Sequence, residues 1–569
     1  MERIIKIVKG EIKAELVLKN ANIINVFTNE IIKGDIAIER GKIIGIGEYE
    51  GIEEMDLEGK YLSPGFIDSH VHIESSMVTP GQFAKAILPR GVTTVVTDPH
   101  EIANVKGIEG IKYMLDESQD LPLDVYVMLP SCVPSTPFEN AGAVLEAEDL
   151  EKLMNEERVL GLGEMMNYPG VIGGDEKVLK KLALFQDKVI DGHGPLITAK
   201  ELNAYVAAGV KTEHECSTKE EMIERLRLGM YIHIREGSAA RNLKELIKVV
   251  DKDNLRRCLF CTDDKHPGDL LVDGSIDHNI RLAIKEGIDP IDCIKMASLN
   301  SAEAYGLKNK GAIAPGYKAD LAVIDNLEDF NVIKVFKEGK LVAENHKPLF
   351  QIPSRDNSSM KNTVNIKRVE IENLRIPIEG EKVNVIKLLP HSLITEKVVK
   401  NVKDMVVEDG AFIRGDNILK VAVIERHNRT GNIGLALVED FGLENGAIAS
   451  TVAHDSHNII VIGDNDRDML LAIEELERVG GGLTMVSEGK VIDTLALTIA
   501  GLMSEESLED VDKKLKSMLH VAYNELKVNE NIDPFMTLSF IALPVIPEIK
   551  VTDLGLFHVG EFRFINLTE

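Results

Sequence analysis

The sequence predicts an α/β protein centred on a (β/α)8 barrel, and three observations point there. Between about Gly65 and Leu307, eight short strand-like runs are separated by amphipathic helical stretches; eight such units in that length is the arithmetic of a barrel. The segments flanking this region have an all-strand texture of their own. Ionisable residues also recur at the ends of the runs, the edge where such barrels build their active sites. A doubly wound sheet is the runner-up fold, although it usually has fewer units.

The elements justify this reading in chain order. At 569 residues and 44% hydrophobic content, the chain can bury a large core and suggests about three domains. Residues 1–62 hold short alternating strands (ELVLKNANIINV, DIAIERGKIIGIG, EEMDLEGKYLSPG) with glycines at the turns. The same texture returns at residues 310–356 (GAIAPGYKADLAVID, NVIKVFKEGKLVAE). The two pieces are expected to form one small β-sandwich, with the barrel of residues 63–309 inserted between them. The barrel strands are expected at FIDSHVH, TTVVTDP, DVYVMLP, VLGLGEMM, VIDGHG, KTEHEC, MYIHIREG and CLFCTDD, with helices such as STKEEMIERLRLG and ARNLKELIKVV between. The polar run SRDNSSMKNT reads as a linker. Residues 357–569 then mix strands (GNIGLALV, NIIVIG) with helices (DRDMLLAIEELERVG, SLEDVDKKLKSML), as a third, mixed α/β domain would.

Composition removes several function classes. The formal net charge is −28, which argues against a nucleic-acid surface and against anionic membranes. No apolar run reaches the ~20 residues needed to span a bilayer. The first twenty residues carry charges throughout, unlike a signal peptide. The expected setting is the cytoplasm, and an odd count of five cysteines fits a reducing compartment. Cys258 and Cys261 form an isolated C-x-x-C in an apolar strand and read as core thiols rather than a zinc or redox pair.

The chemistry is expected at the strand ends. His70 and His72 are two apart on the first strand and point to one face. Glu164 ends the fourth run, His193 the fifth, His214 the sixth and Asp263 the eighth. Taken singly, each is a satisfied polar residue or a helix cap. Together, six buried ionisable groups need a partner charge, and metal ions supply it. Six ligands exceed the three plus water of one catalytic zinc, so two ions sharing a carboxylate are expected. Glu164 is the natural bridge. His70, His72 and Asp263 would hold one ion, and His193 and His214 the other. Asp263 could also take the proton of the attacking water.

Other residues have two readings. Asp98, His100 and Glu101 crowd the end of the second strand, either as functional groups or as loop polarity. His233 on the seventh strand is a substrate-orienting or a core histidine. Arg235, Glu236 and Ser238 follow it, and Glu236 is a candidate proton donor. Asp264 should turn away from the site by strand alternation, and His266 could line the mouth. In the third domain, His454, Asp455 and His457 read best as a polar turn between strands, ahead of a contact over the barrel mouth or a separate metal site. Gly480–Gly482 reads as a helix end and turn rather than a phosphate cradle.

This residue set resembles the amidohydrolase superfamily: F-I-D-S-H-V-H on strand one, single histidines on strands five and six, and Asp on strand eight. Many binuclear members bridge their metals with a carboxylated lysine on strand four, where this chain has Glu164 in GLGEMMNYPGV. With that departure, TDPHEIANV after strand two and the long extension containing TVAHDSHNI, the whole chain resembles the adenine deaminases of bacteria and archaea. The resemblance implies hydrolysis of adenine to hypoxanthine and ammonia by a metal-bound hydroxide at a binuclear site, as in purine salvage. It implies two manganese or iron ions, with zinc compatible, and the ligands His70, His72, Glu164, His193, His214 and Asp263. It further implies protonation of the purine ring by an acid such as Glu74, Asp98, Glu101 or Glu236, and a homodimer or higher homo-oligomer. The rival readings are hydrolysis of a cyclic amide, usually with the bridging lysine, deacetylation of an amino sugar, and a non-catalytic scaffold that has lost its ligands.

Overall fold

The strand Phe66–His72 is buried at every position, and so is Val92–Thr97, as strands covered on both faces must be. The computed structural model of the protein describes residues 1–568. Eight short parallel strands start where the sequence places them: Phe66–His72, Val92–Thr97, Asp124–Leu129, Val159–Met165, Val189–Gly192, Thr212–Glu213, Tyr231–Arg235 and Cys258–Cys261. The first five lie side by side in chain order, as do the last three. Two seams join these groups. The Lys211 N–H donates to the Ile190 carbonyl at 2.9 Å. The eighth strand splits, so that Cys258–Cys261 pairs with the seventh and Asp263–Asp264 pairs with the first. The result is a curled parallel sheet consistent with a (β/α)8 barrel.

The helices between strands follow local signals. Lys219–Arg227 starts at a Thr218/Glu221 capping box. The helix expected over 240–250 is only one α-turn, Leu243–Leu246, continued as a 3-10 turn, Ile247–Val249. The β-branched Ile247, Val249 and Val250 that follow lose side-chain freedom in a helix.

The two flanking segments meet in one hydrogen-bonded sheet of nine strands. Its junction is the antiparallel pair Tyr61–Pro64 and Leu321–Ile324, and Leu18, Ile23, Ile36, Leu62, Leu321 and Phe336 fill its core. The expected linker is not free chain: Met360 is buried and its carbonyl accepts the Ala500 N–H at 2.7 Å. An apolar side chain inside that polar run anchors it.

The carboxyl-terminal part carries a ten-stranded sheet. Helix Asp466–Val479 packs Met469, Ala472, Ile473 and Leu476 against it. Gly480, at φ 84°, ends that helix in the left-handed conformation, the helix-end reading of the glycine run. This unit sits against the barrel mouth. Asn458 Nδ2 donates to the Asn140 carbonyl at 2.8 Å, and Asn428 Nδ2 to that of Ala141 at 3.1 Å. The Thr79 N–H donates to the Ser504 carbonyl at 3.2 Å. One continuous apolar core runs from the barrel into the carboxyl-terminal sheet. All five cysteines are buried and unpaired, including Cys258 and Cys261 on their strand. Among the described residues no helix is long and apolar enough to cross a membrane.

Candidate metal centre and active site

The carboxyl ends of five strands bring the six expected residues together. Glu164, on the fourth strand, occupies the middle, and its two oxygens face different ways. Oε1 lies 3.2 Å from His72 Nε2 and 3.9 Å from His70 Nε2. Oε2 lies 2.6 Å from His193 Nδ1 and 3.3 Å from His214 Nε2. Asp263 Oδ1 completes the first group, 3.4 Å from His70 Nε2 and 3.1 Å from His72 Nε2. Five of the six are buried and His193 is half-buried. Burial alone would raise the Glu164 pKa, but hydrogen bonds from the histidines hold it well below the usual carboxylate range.

The donor set fits divalent metal ions. His70 with His72 and Glu164, His70 with His214 and Asp263, and Glu164 with His193 and His214 each form a group able to hold an ion, and mixed imidazole and carboxylate ligands suit transition metals. His70 Nε2 is buried without a hydrogen-bond partner. His72 places Nδ1 2.9 Å from the Asp98 carbonyl. That bond puts the proton on Nδ1 and leaves the Nε2 lone pair free for an ion.

The residues around this cluster hold it in place. Asp98 Oδ2 accepts the Glu164 backbone N–H at 2.9 Å, so Asp98 orients both His72 and Glu164. Gly163 makes room for it. A Cβ there would lie 2.1 Å from Asp98 Oδ2. His100 Nδ1 sits 3.3 Å from Glu164 Oε1, and His100 Nε2 sits 3.4 Å from Glu101 Oε1. Asp263 has φ 58°, which turns the chain between the two pieces of the eighth strand. Its Oδ2 accepts from Arg235 Nη1 at 2.8 Å. Burial opposes the charge on Asp263, and the Arg235 guanidinium more than offsets it, leaving the pKa well below normal.

Several expected residues do other things. The Glu236 carboxylate accepts the Leu243 N–H at 3.3 Å, at the start of a short helix. His233 faces the barrel interior with its ring centroid 6.4 Å from that of His70; both ring nitrogens lack partners, and burial pushes its pKa well below normal. Ser238 Oγ donates to Asp269 Oδ2 at 2.6 Å. Asp264 does not turn away as alternation predicts. Its Oδ1 accepts from Ser75, because the positive φ of Asp263 breaks the strand. The His454–His457 segment is a turn between strands Gly446–Ser450 and Ile459–Gly463, and it is buried. Both histidines are buried, and both are bonded to Glu101, His454 through Nδ1 at 2.7 Å and His457 through Nε2. The segment is a turn, which lets both side chains reach one carboxylate.

Comparison with known proteins gives the family. Residues 61–342 match the amidohydrolase family, and residues 392–563 match the adenine deaminase C-terminal domain. An adenine deaminase of Clostridium acetobutylicum is 55% identical over 558 residues, covering 97% of each chain. The chain belongs to the adenine deaminase family. Adenine deaminase 2 of Carboxydothermus hydrogenoformans is 52% identical, covering 99% of both chains. A solved β-aspartyl dipeptidase from Fervidobacterium islandicum is similar at 18% identity and a TM-score of 0.46, covering 59% of this chain and 99% of that one.

For a member of the adenine deaminase family, whose amidohydrolase part implies divalent metal ions, the sequence reading missed one side chain. Glu215 pairs with both Arg235 Nη1 and Nη2, the latter at 3.1 Å, and lies 3.5 Å from His214 Nε2. Burial works against its charge, but Arg235 brings its pKa down to about 2. The available signal was charge balance: a buried arginine at the end of the seventh strand needs acids beside it, and the sixth strand end offers Glu215.

Proposed function

We propose that the protein catalyses hydrolytic deamination of adenine to hypoxanthine and ammonia at a pair of divalent metal ions. The observation that carries this reading is the split carboxylate of Glu164, with two histidines on each side, in a chain 55% identical to an adenine deaminase. His70, His72 and Asp263 would hold one ion and His193 and His214 the other, with Glu164 shared. Manganese and iron suit this set, and zinc is compatible. When bound, the ions supply the positive charge that makes water acidic enough to attack at neutral pH.

The chain's own groups account for the rest. Water adds to C6 of the purine, and Asp263 accepts its proton at Oδ1, the oxygen that faces the histidines. Arg235 on Oδ2 fixes that carboxylate and keeps it ionised before the transfer. An acid beside the site such as Glu74 protonates ring N1 as C6 becomes tetrahedral, the proton on Asp263 goes to the exocyclic nitrogen, which departs as ammonia, and the C6 hydroxyl returns its proton to that acid as the carbonyl forms. Adenine and water thus balance hypoxanthine and ammonia, a purine-salvage conversion. Asp98 acts by orientation, through the Glu164 N–H and the His72 ring. The barrel is proposed to span residues 63–309, with residues 1–62 and 310–356 as one flanking β-unit and 357–569 as the carboxyl-terminal unit.

The test is direct. Protein loaded with manganese or iron should consume adenine, followed by ultraviolet absorbance, and release one ammonia per adenine. Turnover of a cyclic amide or an N-acetyl amino sugar without adenine turnover would overturn the reading.

A further inference from the structure

A small cavity of about 20 Å³ lies between the barrel mouth and the carboxyl-terminal unit. The barrel contributes Glu74 and Glu101 to its wall, and the other unit contributes His454, His457, Phe535 and Phe540. It adjoins the metal-ligand cluster through His100, which bridges Glu101 and Glu164. The wall is two-sided. Phe540 stacks on His454 with ring centroids 4.4 Å apart and planes at 22°, which braces the imidazole. Opposite stands Glu74, only 4% exposed. Its Oε1 accepts the Ile102 N–H at 3.2 Å, whereas its Oε2 has no partner.

The two histidines grip Glu101 in a way that identifies their role. The Ala453 N–H donates to His457 Nδ1 at 3.2 Å, so the neutral ring carries its proton on Nε2, which donates to Glu101 Oε2. A histidine that bound a metal through Nε2 would carry its proton on Nδ1, where the Ala453 N–H already points. The trio is therefore a hydrogen-bond clamp rather than a third metal site. His454 Nδ1 holds the other oxygen at 2.7 Å. Arg426, fully buried, donates to the His457 carbonyl and to the Ala500 carbonyl at 3.0 Å, fixing the turn.

We propose that the carboxyl-terminal unit completes the active site: its 453–457 turn positions Glu101 through His454 and His457, and through Glu101 it sets His100 beside Glu164. This rests on the deaminase reading above and adds residues of the carboxyl-terminal unit to that site. His454 and His457 are positioning residues in it.

The test uses the metal-loaded full chain and compares wild type with His454→Ala, His457→Ala and His454→Gln. Losing a hydrogen bond to an ionised carboxylate should lower kcat/KM by ~10- to 100-fold in the two histidine-to-alanine variants. Metal content should stay equal to wild type. The glutamine at 454 can still donate to Glu101 and should recover most of that loss. Kinetics within ~2-fold of wild type in both histidine-to-alanine variants would overturn the proposal, as would the loss of a metal equivalent from either. Should those variants not fold, His454→Leu and His457→Leu keep the buried volume without the donor, and kinetics within ~2-fold of wild type in both would overturn it. An inactive wild type would instead refute the deaminase reading.

Discussion

Gly163 offers the sharpest single-atom test of how the site is held. A methyl group there would stand 2.1 Å from Asp98 Oδ2 and 2.6 Å from its Cγ. Asp98 is 1% exposed and cannot swing into water. Gly163→Ala must therefore push the carboxylate off the Glu164 N–H that it now accepts at 2.9 Å. A hydrogen bond to a charged group contributes ~1.5–3 kcal/mol, so kcat/KM for adenine should fall ~10- to 100-fold. Asp98→Ala removes the same bond and should cost a similar factor. In the double variant the added methyl meets no carboxylate, so its separate penalty disappears. The cycle should show a coupling of ~1.5–3 kcal/mol that makes the double variant no worse than Asp98→Ala. The assay is adenine absorbance on metal-loaded enzyme, with metal content measured for every variant. Losses that add to within ~0.5 kcal/mol, or full activity in Gly163→Ala, would refute the positioning role of Asp98.

Two further outcomes follow from buried charge. Arg235→Met leaves Asp263 and Glu215 facing each other without their shared cation. Unfolding by urea should show a loss of ~3–5 kcal/mol, and a variant as stable as wild type would contradict the ion-pair account. Lys550 is fully buried, donates only to the Leu393 carbonyl among the described residues, and has its pKa lowered by burial from 10.5 to about 7. The unfolded chain thus binds a proton that the folded chain releases between those two values. The resulting destabilisation is complete below about pH 7 and fades as pH rises toward 10.5. Lys550→Met should stabilise the protein by a few kcal/mol at pH 7, on the order of the shift itself, with the gain shrinking toward pH 10; a gain independent of pH would contradict it.

Much of the barrel was legible because its signals are local. Alternating apolar runs, Gly and Pro boundaries and a capping box each specify an element without help from distant sequence. The six-residue cluster was legible for a related reason: strand ends in a barrel share one rim, so His70, Glu164 and His214 could be brought together without knowing any helix. What escaped depended on single backbone angles or on distant packing. The positive φ at Asp263 redirects Asp264 toward Ser75, and no periodicity records it. Glu215 and Arg235 find each other across strands that a linear reading treats separately. The grip of His454 and His457 on Glu101 spans more than 350 positions, and only the docking of the carboxyl-terminal unit reveals it. The linker and the 243–249 helix failed for smaller reasons, a buried methionine and a run of β-branched residues.

The central claim is that one glutamate joins two metal ions. Metal analysis of purified wild type and Glu164→Gln, each assayed for adenine turnover in the same preparation, tests it most directly. The account predicts two transition-metal equivalents per active wild-type chain, and at most one, with turnover nearly abolished, in the variant. A fully active wild type carrying a single equivalent, or a variant that retains both ions and its activity, would contradict it.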